Sequence, residues 1–241
     1  IDKLKQIRVI DPEAHIERIL SQVKLDLKLN KSPYHIECFD NSNLMGTNPV
    51  GSCVVFKNAK PSKKDYRLYR INDISGPDDF ASLEQVVYRR LKRLVKEKNS
   101  LPDLIIVDGG KGQLSSGLKS LVKLGVEDKV AIIGIAKKLE DIFIPGDKLP
   151  LYINKTSETL KLIQQLRNEA HRFAINFHRK KRSKHAFESQ IDNLTGIGPK
   201  TSELLLNKFQ SFKRIQRASE KDLIELLGKV RGKSLFKQLK S

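Results

Sequence analysis

Short apolar stretches in the first third of the chain predict a group of strands. Residues 34–40 alternate in part between apolar and polar side chains, as a half-buried strand does. Residues 50–57 and 65–71 are rich in β-branched and aromatic residues and are bounded by turn-forming residues. We therefore predict an antiparallel meander of three strands.

Helical and strand patterns alternate in the next part of the chain. Residues 104–107 are apolar throughout and end in Asp108-Gly109-Gly110, which indicates a strand buried on both faces. A helix over about 79–98 is predicted from one apolar stripe formed by Leu83, Val86, Val87, Leu91 and Leu94. The remaining predictions are a helix over about 112–124, a strand over about 130–136, short strands near 141–153 and a helix over about 157–178. Together these elements predict an α/β domain with a mixed sheet and flanking helices.

Two further segments flank this domain, which is expected to span residues 31–178. Residues 1–30 form a lead-in segment, in which Asp11-Pro12 is a typical helix start. A basic run follows the long helix, so residues 179–187 are interpreted as a linker. Residues 188–241 contain short helices interrupted by glycine and show no strand pattern, which predicts a small all-α domain.

The charge of the chain favours a polyanionic partner such as nucleic acid. Lys and Arg number 46 against 28 Asp and Glu, a formal net charge of +18. No apolar run approaches the roughly 20 residues that a membrane-spanning helix needs, and no signal-peptide pattern opens the chain. Cys38 and Cys53 lack metal-ligand spacing and are interpreted as reduced thiols on neighbouring strands of a cytoplasmic protein.

Two aspartates stand where predicted strands end. Asp40 closes the strand over 34–40, and Asp108 follows the strand over 104–107. If these strands are adjacent and parallel, both carboxylates lie beyond the same edge of the sheet. Neighbouring carboxylates repel each other, and a cation that prefers oxygen ligands, such as Mg²⁺ or Mn²⁺, would relieve that repulsion. An aspartate after a strand is also a common turn former, so the spacing alone only suggests a metal site.

The helix over 157–178 offers a third ligand, but its geometry leaves two candidates. At about 100° per residue, His171 falls on one edge of the apolar stripe and Glu169 on the opposite edge. Only one of them can join the aspartates directly, and the helix geometry does not choose between them. A histidine beside an apolar stripe is also often a packed core residue.

A glycine-rich segment over 194–200 suggests a second functional element. Gly196 and Gly198 allow unusual backbone angles and the close approach of a phosphate. Pro199 suits the first turn of a helix, and Lys200 adds charge beside the exposed amides at its start. The pattern is typical of a helix-hairpin-helix, which binds DNA backbone without reading sequence; a plain turn between packed helices is the alternative.

Residues 226–234 form a degenerate second copy of this glycine pattern. Their Gly-x-x-x-Gly-Lys-Ser spacing is one residue short of a P-loop and follows a helix rather than a strand. No nucleotide cofactor is therefore expected.

Four blocks of sequence, in order along the chain, resemble the C-terminal half of the UvrC family, the incision subunit of the bacterial nucleotide excision repair nuclease. They are IECFDNSNLMG (36–46), IVDGGKGQL (106–114), IAKKLEDIF (135–143) and RNEAHRFAINFHR (167–179). The resemblance implies an RNase H-like endonuclease domain that makes the 5′ cut beside a lesion, followed by a tandem helix-hairpin-helix domain. It also implies a metal site at Asp40, Asp108 and His171, and thereby selects His171 over Glu169.

The resemblance also sets expectations for the partners of the chain. The family's domain for the 3′ cut lies upstream, so the chain, which begins at Ile1, is expected to be a fragment without it. Damaged double-stranded DNA is the expected substrate, and UvrB is the expected protein partner, with its contact mainly in the upstream region. DNA contacts are expected from the hairpins, from two lysines in the matched blocks and from the basic linker, namely Gly196, Ile197, Gly198, Lys200, Thr201, Gly232, Lys233, Lys111, Lys137, Arg179, Lys180, Lys181 and Arg182.

Two other functions remain open at this point. A non-catalytic DNA-binding module would keep the fold and the hairpins but would not need Asp40, Asp108 and His171 intact. Another RNase H-like enzyme, such as a junction resolvase or a transposase, would usually complete its site with acidic residues. Binding to a membrane surface is disfavoured, because no predicted helix combines a basic face with Trp or Phe anchors.

Overall fold

The computed structural model describes residues 11–42, 50–71, 78–136, 140–191 and 194–240. The chain forms two compact units, Ile1–Ile175 and Asn176–Ser241. Among the described residues, none of the helices is both long enough and apolar enough to cross a membrane.

The first unit is built on one mixed β-sheet. Its strands are β1 (His35–Ser42), β2 (Val50–Lys57), β3 (Lys60–Pro61), β4 (Arg67–Arg70), β5 (Leu104–Asp108), β6 (Ala131–Ile135) and β7 (Ile142–Phe143). The strand order is β3-β2-β1-β5-β6-β7, and β4 also pairs with β2. β1, β5 and β6 are parallel, whereas the other pairings are antiparallel. The mixed sheet predicted from the sequence is thereby confirmed.

Within the described residues, four α-helices belong wholly or partly to this unit, and three of their ends carry the expected capping residues. They are α1 (Pro12–Asp26), α2 (Asp79–Lys96), α3 (Lys111–Leu124) and α4 (Glu158–Ile191). The Asp11 carboxylate caps α1 by accepting from the Ala14 amide (2.9 Å). Asp78 caps α2 in the same way, and α3 ends at Gly125, whose φ of 61° suits glycine.

The lead-in helix α1 is part of the core of the first unit. Leu20, Val23 and Leu27 are fully buried and belong to the same apolar cluster as the central strands. Thr159 at the start of α4 donates a hydrogen bond to the Asp26 carboxylate (2.5 Å). Removing α1 would therefore expose the apolar face that it covers.

The helix α4 is longer than the sequence analysis predicts. The prediction ends the helix at 178 and makes 179–187 a linker, whereas the structure continues the helix to Ile191. Arg and Lys are good helix formers, and this stretch contains no Gly or Pro. Phe187 and Ile191 lie in the core of the second unit, so burial of the last turns also favours the helix.

A buried ion pair joins β1 to α2. Glu37 and Arg90 are almost fully buried, and the Arg90 Nε and Nη2 atoms donate to the Glu37 carboxylate at 3.0 and 2.5 Å. His35 Nε2 lies 3.1 Å from the same carboxylate. Burial alone would raise the pKa of Glu37, but the hydrogen bonds from His35 and Arg90 outweigh it and lower that pKa.

Cys38 and Cys53 lie on the paired strands β1 and β2 but face opposite layers. Cys53 is paired with Phe39, the residue after Cys38, and side chains alternate between the two faces along a strand. Both thiols are free and fully buried, and burial is the main cause that raises their pKa. A disulfide between them is therefore not expected.

Replacing Arg90 with Met should destabilise the first unit by about 3–5 kcal/mol, because it leaves the Glu37 carboxylate buried without its main partner. Urea unfolding of the variant measures the loss. Arg93→Met is the matched control: Arg93 is on the same helix and pairs with Glu97 in an exposed position (2.7 Å), so its loss should cost only about 0–1 kcal/mol. Equal effects of the two substitutions would contradict the prediction.

The lowered pKa of Glu37 also predicts a dependence on pH. A carboxyl group whose pKa is lowered on folding contributes stability above its ordinary pKa of about 4.3 and loses it as the pH falls further. The difference in unfolding free energy between the wild type and Glu37→Gln should therefore be large near neutral pH and should shrink in acid. A difference that stays constant would show that the charge of Glu37 is not what stabilises the fold.

Candidate active site

The pairing of β1 with β5 brings the two predicted aspartates side by side. The strands are parallel, and Phe39 is paired with Val107. Asp40 and Asp108 are the next residues on each strand, so they lie at the same level at the carboxyl edge of the sheet. The arrangement assumed in the sequence analysis, adjacent and parallel strands, is thus the one that the structure has.

His171 on α4 reaches the first of these aspartates. Its Nδ1 atom lies 3.2 Å from the Asp40 carboxylate, which is 2 % exposed, whereas the His171 side chain is 52 % exposed. A carboxylate only accepts hydrogen bonds, so Nδ1 is the donor in this contact and Nε2 is left outside it.

Glu169, the alternative third ligand, is held on the other side of α4. Its carboxylate accepts hydrogen bonds from Arg172 at 2.7 and 2.6 Å, and these bonds lower its pKa. The nearby Tyr66 hydroxyl lowers the pKa of Glu169 further. The structure therefore brings His171, and not Glu169, to Asp40.

Ser52 on β2 fixes α4 against the sheet, a connection that the sequence analysis missed. Its hydroxyl lies 3.3 Å from the Asp40 carbonyl and 3.1 Å from the Ala170 carbonyl. Ala170 precedes His171, so this buried hydroxyl sets the position of His171 relative to Asp40. In the sequence, the sign of this contact was a serine within the predominantly apolar residues 50–56.

The charges of Asp40 and Asp108 both act on the Cys38 thiol. Burial is the largest cause that raises the pKa of the Cys38 thiol, and the charges of Asp108 and Asp40 raise it further. Arg167, one helical turn before His171, acts in the opposite direction. Its Nη2 atom lies 3.3 Å from Glu140. Both carboxylates are therefore close to Cys38, and Arg167 is a cation near them.

The described residues contain no group of three or more His, Cys, Asp and Glu side chains arranged to hold a metal ion. Asp40 and His171 are in contact, and Asp108 stands beside Asp40 in the register, but the three do not form a closed set of ligands. Their chemistry nevertheless suits a divalent cation, because carboxylate oxygens are the preferred ligands of Mg²⁺ and Mn²⁺ and imidazole also binds first-row metals.

The start of α2 also lies beside the site. The Asn41 side-chain amide donates to the Asp79 carbonyl (3.1 Å), which places the first turn of α2 next to Asp40. Asp78 caps this helix, and Asp79 lies in its first turn.

The turn that follows Asp108 packs closely on β6. A Cβ atom at Gly134 would lie 2.8 Å from the Gly109 carbonyl oxygen, so a side chain at this position would displace the turn. Lys111, the first residue of α3, donates to the Lys148 carbonyl and lies 5.7 Å from the Phe143 ring centroid. Lys137, the other lysine predicted near the phosphate, lies outside the described residues.

The second unit contains the glycine-rich segment predicted to form a hairpin. Its other helices are α5 (Pro199–Phe209), α6 (Phe212–Gln216), α7 (Glu220–Leu227) and α8 (Lys229–Lys240). Gly196 has a φ of 79°, and Gly198 immediately precedes α5, with Pro199 in its first turn. Ile197 is half-buried and Lys200 is exposed, whereas Thr201 is buried and therefore faces the core rather than a surface ligand.

The second glycine pattern has a different geometry. Gly228 has a φ of 82° and ends α7, whereas Gly232 is buried within α8. The Gly232 amide donates to the Gly228 carbonyl (2.9 Å), so it is already engaged within the helix. Of the two residues predicted here to contact DNA, only Lys233 is exposed.

The basic residues that follow His178 lie on the helix α4. Arg179 and Arg182 are exposed, and the side chains of Lys180 and Lys181 are outside the description. These residues are therefore carried by a helix rather than by a flexible linker.

Comparison with known proteins identifies the class to which this fold and site belong. Residues 24–175 match the family model described as "UvrC RNAse H endonuclease domain". This part of the chain is therefore a nuclease domain of the RNase H type. The chain belongs to the UvrC family, as the resemblance in sequence predicted.

Individual relatives agree with this assignment. "UvrABC system protein C" of Christiangramia forsetii is 60 % identical over 94 % of this chain, and the protein of the same name from Flavobacterium psychrophilum is 59 % identical over 98 %. The matches cover 38 % and 39 % of those proteins, so the chain spans well under half of their length. Among solved structures, endonuclease V of Bacillus subtilis matches 66 % of this chain and 91 % of its own, with a TM-score of 0.36 and 16 % identity, a likeness too distant to support a functional conclusion.

The two glycine patterns predict different effects of alanine substitution on stability. At Gly232 a Cβ atom would lie 2.5 Å from the Ile224 Cα, so Gly232→Ala should separate α7 from α8 and cost roughly 1–3 kcal/mol. At Gly198 a Cβ atom would meet nothing within 4 Å and φ is −86°, so Gly198→Ala should leave stability nearly unchanged. Thermal unfolding of the two variants tests this, and an equal loss in both would contradict the packing described here.

Proposed function

We propose that this chain makes the 5′ incision of nucleotide excision repair by metal-dependent hydrolysis of a DNA phosphodiester bond. The observation that carries the proposal is the contact between His171 and Asp40, beside Asp108, at the carboxyl edge of a UvrC-family endonuclease domain. Catalytic residues commonly lie at this edge of α/β sheets.

In this proposal Asp40, Asp108 and His171 hold one or two Mg²⁺ or Mn²⁺ ions. Such an ion, when bound, lowers the pKa of a water molecule and offsets the negative charge of a phosphate. The metal ion would also relieve the repulsion between the two aspartates. Among the described residues, Arg167 is a nearby cation that opposes their charge.

The protein groups themselves orient the site. The buried hydroxyl of Ser52 holds β1 and α4 together, and the Asp40 carboxylate fixes the ring of His171. With the proton on Nδ1, the Nε2 atom of His171 can serve as a ligand or can accept a proton near the leaving group. We favour the ligand function, because two carboxylates and one imidazole make a suitable donor set for such a cation.

The second unit is proposed to bind the DNA backbone. Its exposed helix start at Gly198 and the neighbouring Lys200 provide amides and charge for a phosphate. Lys111 at the start of α3, Lys233 on α8 and the basic residues 179–182 on α4 are proposed as further contacts, together with Lys137 of the matched sequence block.

The proposed setting of this reaction is damaged double-stranded DNA in the cytoplasm, with UvrB as the protein partner. The name of the relatives, "UvrABC system protein C", supports a shared repair system. The proposed contact with UvrB lies mainly upstream of this sequence, in a part of the relatives that it does not match; the chain covers 38–40 % of their length.

A non-catalytic DNA-binding module is the second candidate. It is favoured by the finding that the described residues do not assemble three metal-binding side chains. It predicts DNA binding without cleavage under any metal condition.

Nicking of supercoiled DNA in Mg²⁺ or Mn²⁺ distinguishes these functions. Asp40→Ala should reduce the nicking rate by at least roughly 100-fold, and His171→Ala by roughly 10- to 100-fold, because each removes a proposed ligand. Asp147→Ala, which removes an exposed aspartate of a surface loop, is the matched control and should nick at the wild-type rate.

Nicking that survives Asp40→Ala would refute the proposed site. If the wild type binds DNA but does not nick it, the test is repeated with UvrB and a damaged substrate. Persistent absence of cleavage would then favour the non-catalytic module.

A further inference from the structure

The helix α2 carries a row of exposed cations. Arg89, Lys92, Arg93 and Lys96 are all exposed and are spaced so that they share one face of the helix. Arg89 and Lys96, at the ends of the row, are seven positions apart, which is about 10 Å along the helix axis. We call these four residues the cationic stripe.

Few carboxylates neutralise the cationic stripe. Arg93 pairs with Glu97 (2.7 Å), but within the described ranges no carboxylate pairs with Arg89, Lys92 or Lys96. Arg89 instead lies 5.4 Å from the Tyr69 ring centroid, and Lys92 lies 5.4 Å from that of Tyr88. Most of the positive charge therefore remains available to a ligand.

Arg70 connects the stripe to the candidate active site. Across the sheet, Asp40 is paired with Ser52, and Ser52 with Leu68. Arg70 is two residues after Leu68, so its side chain is on the same face as Asp40. Two inter-strand spacings separate the strands, roughly 10 Å.

Arg70 is exposed at the end of β4, and it pairs with no carboxylate in the part of the chain that the structure describes. Its carbonyl accepts a hydrogen bond from Arg89 Nη1 (2.7 Å), which joins the end of β4 to the stripe. The Arg70 side chain and the stripe therefore lie on opposite faces of the sheet, and the Arg89–Arg70 hydrogen bond brings them together at the β4 edge.

We propose that Arg70 and the cationic stripe bind the sugar–phosphate backbone of the DNA that enters the active site. This inference deepens the proposed function and rests on it. A narrow row of cations about 10 Å long matches about three phosphates at 3.4 Å per nucleotide along one strand. Cations that contact only phosphates would position the substrate without reading its sequence.

The test is DNA binding by the full chain, measured without divalent metal at several salt concentrations. Arg70→Glu/Lys92→Glu is the test variant, because neither side chain donates a hydrogen bond within the described structure. It should weaken binding roughly tenfold or more and should reduce the slope of log Kd against log salt by about 2, close to one unit per lost phosphate contact. Arg70→Lys/Lys92→Arg keeps both charges and should retain the wild-type slope.

Lys129→Glu/Lys161→Glu is the matched control. It makes the same change in net charge at two exposed lysines, one before β6 at the amino edge of the sheet and one in the first turns of α4. Its slope should stay close to that of the wild type. Circular dichroism melting of all variants ensures that folded proteins are compared.

A wild-type slope in Arg70→Glu/Lys92→Glu, or an equal loss in the control, would overturn the proposal. Because binding is measured without metal, this outcome is separate from the fate of the nuclease. If the wild type never nicks DNA but the slope falls only in Arg70→Glu/Lys92→Glu, the binding proposal stands and the nuclease proposal fails. If the wild type nicks DNA but the slope does not change in this variant, only the nuclease proposal stands.

Discussion

The parallel pairing of β1 with β5 is the contact on which the rest of the site depends. It places Asp40 and Asp108 at one level, although 67 intervening residues separate them along the chain. Parallel strands need a long crossover, and here the crossover carries β2, β3, β4 and α2. The crossover elements therefore both flank the aspartates and allow β1 and β5 to pair in parallel.

Polar contacts inside the core then fix the positions of α2 and α4 relative to β1. Ser52 joins the carbonyls of Asp40 and Ala170, and the Glu37–Arg90 pair holds α2 on β1 from the opposite face of the sheet. Each contact involves a residue that would be costly to bury alone. Neighbouring elements of the candidate site are thus fixed by groups that tolerate little displacement, as the proposed hydrolysis would require.

Much of the fold and part of the site could be predicted from the sequence. The periodicity of apolar residues identified β5 and α2, and strand ends pointed to Asp40 and Asp108. The choice of His171 over Glu169 came from the family resemblance, and only the structure shows its physical basis, the pairing of Glu169 with Arg172. Periodicity could not show that Ser52 bridges two elements, nor that burial of Phe187 and Ile191 extends α4 through a basic run, because both depend on contacts between distant parts of the chain.

The position of the two thiols has a consequence for the chemistry that this chain can withstand. Oxidants attack thiolates that are exposed, whereas Cys38 and Cys53 are buried, have a raised pKa and face different layers. They are the only two cysteines of the sequence. Peroxide and related species therefore find no accessible sulfhydryl at Cys38 or Cys53.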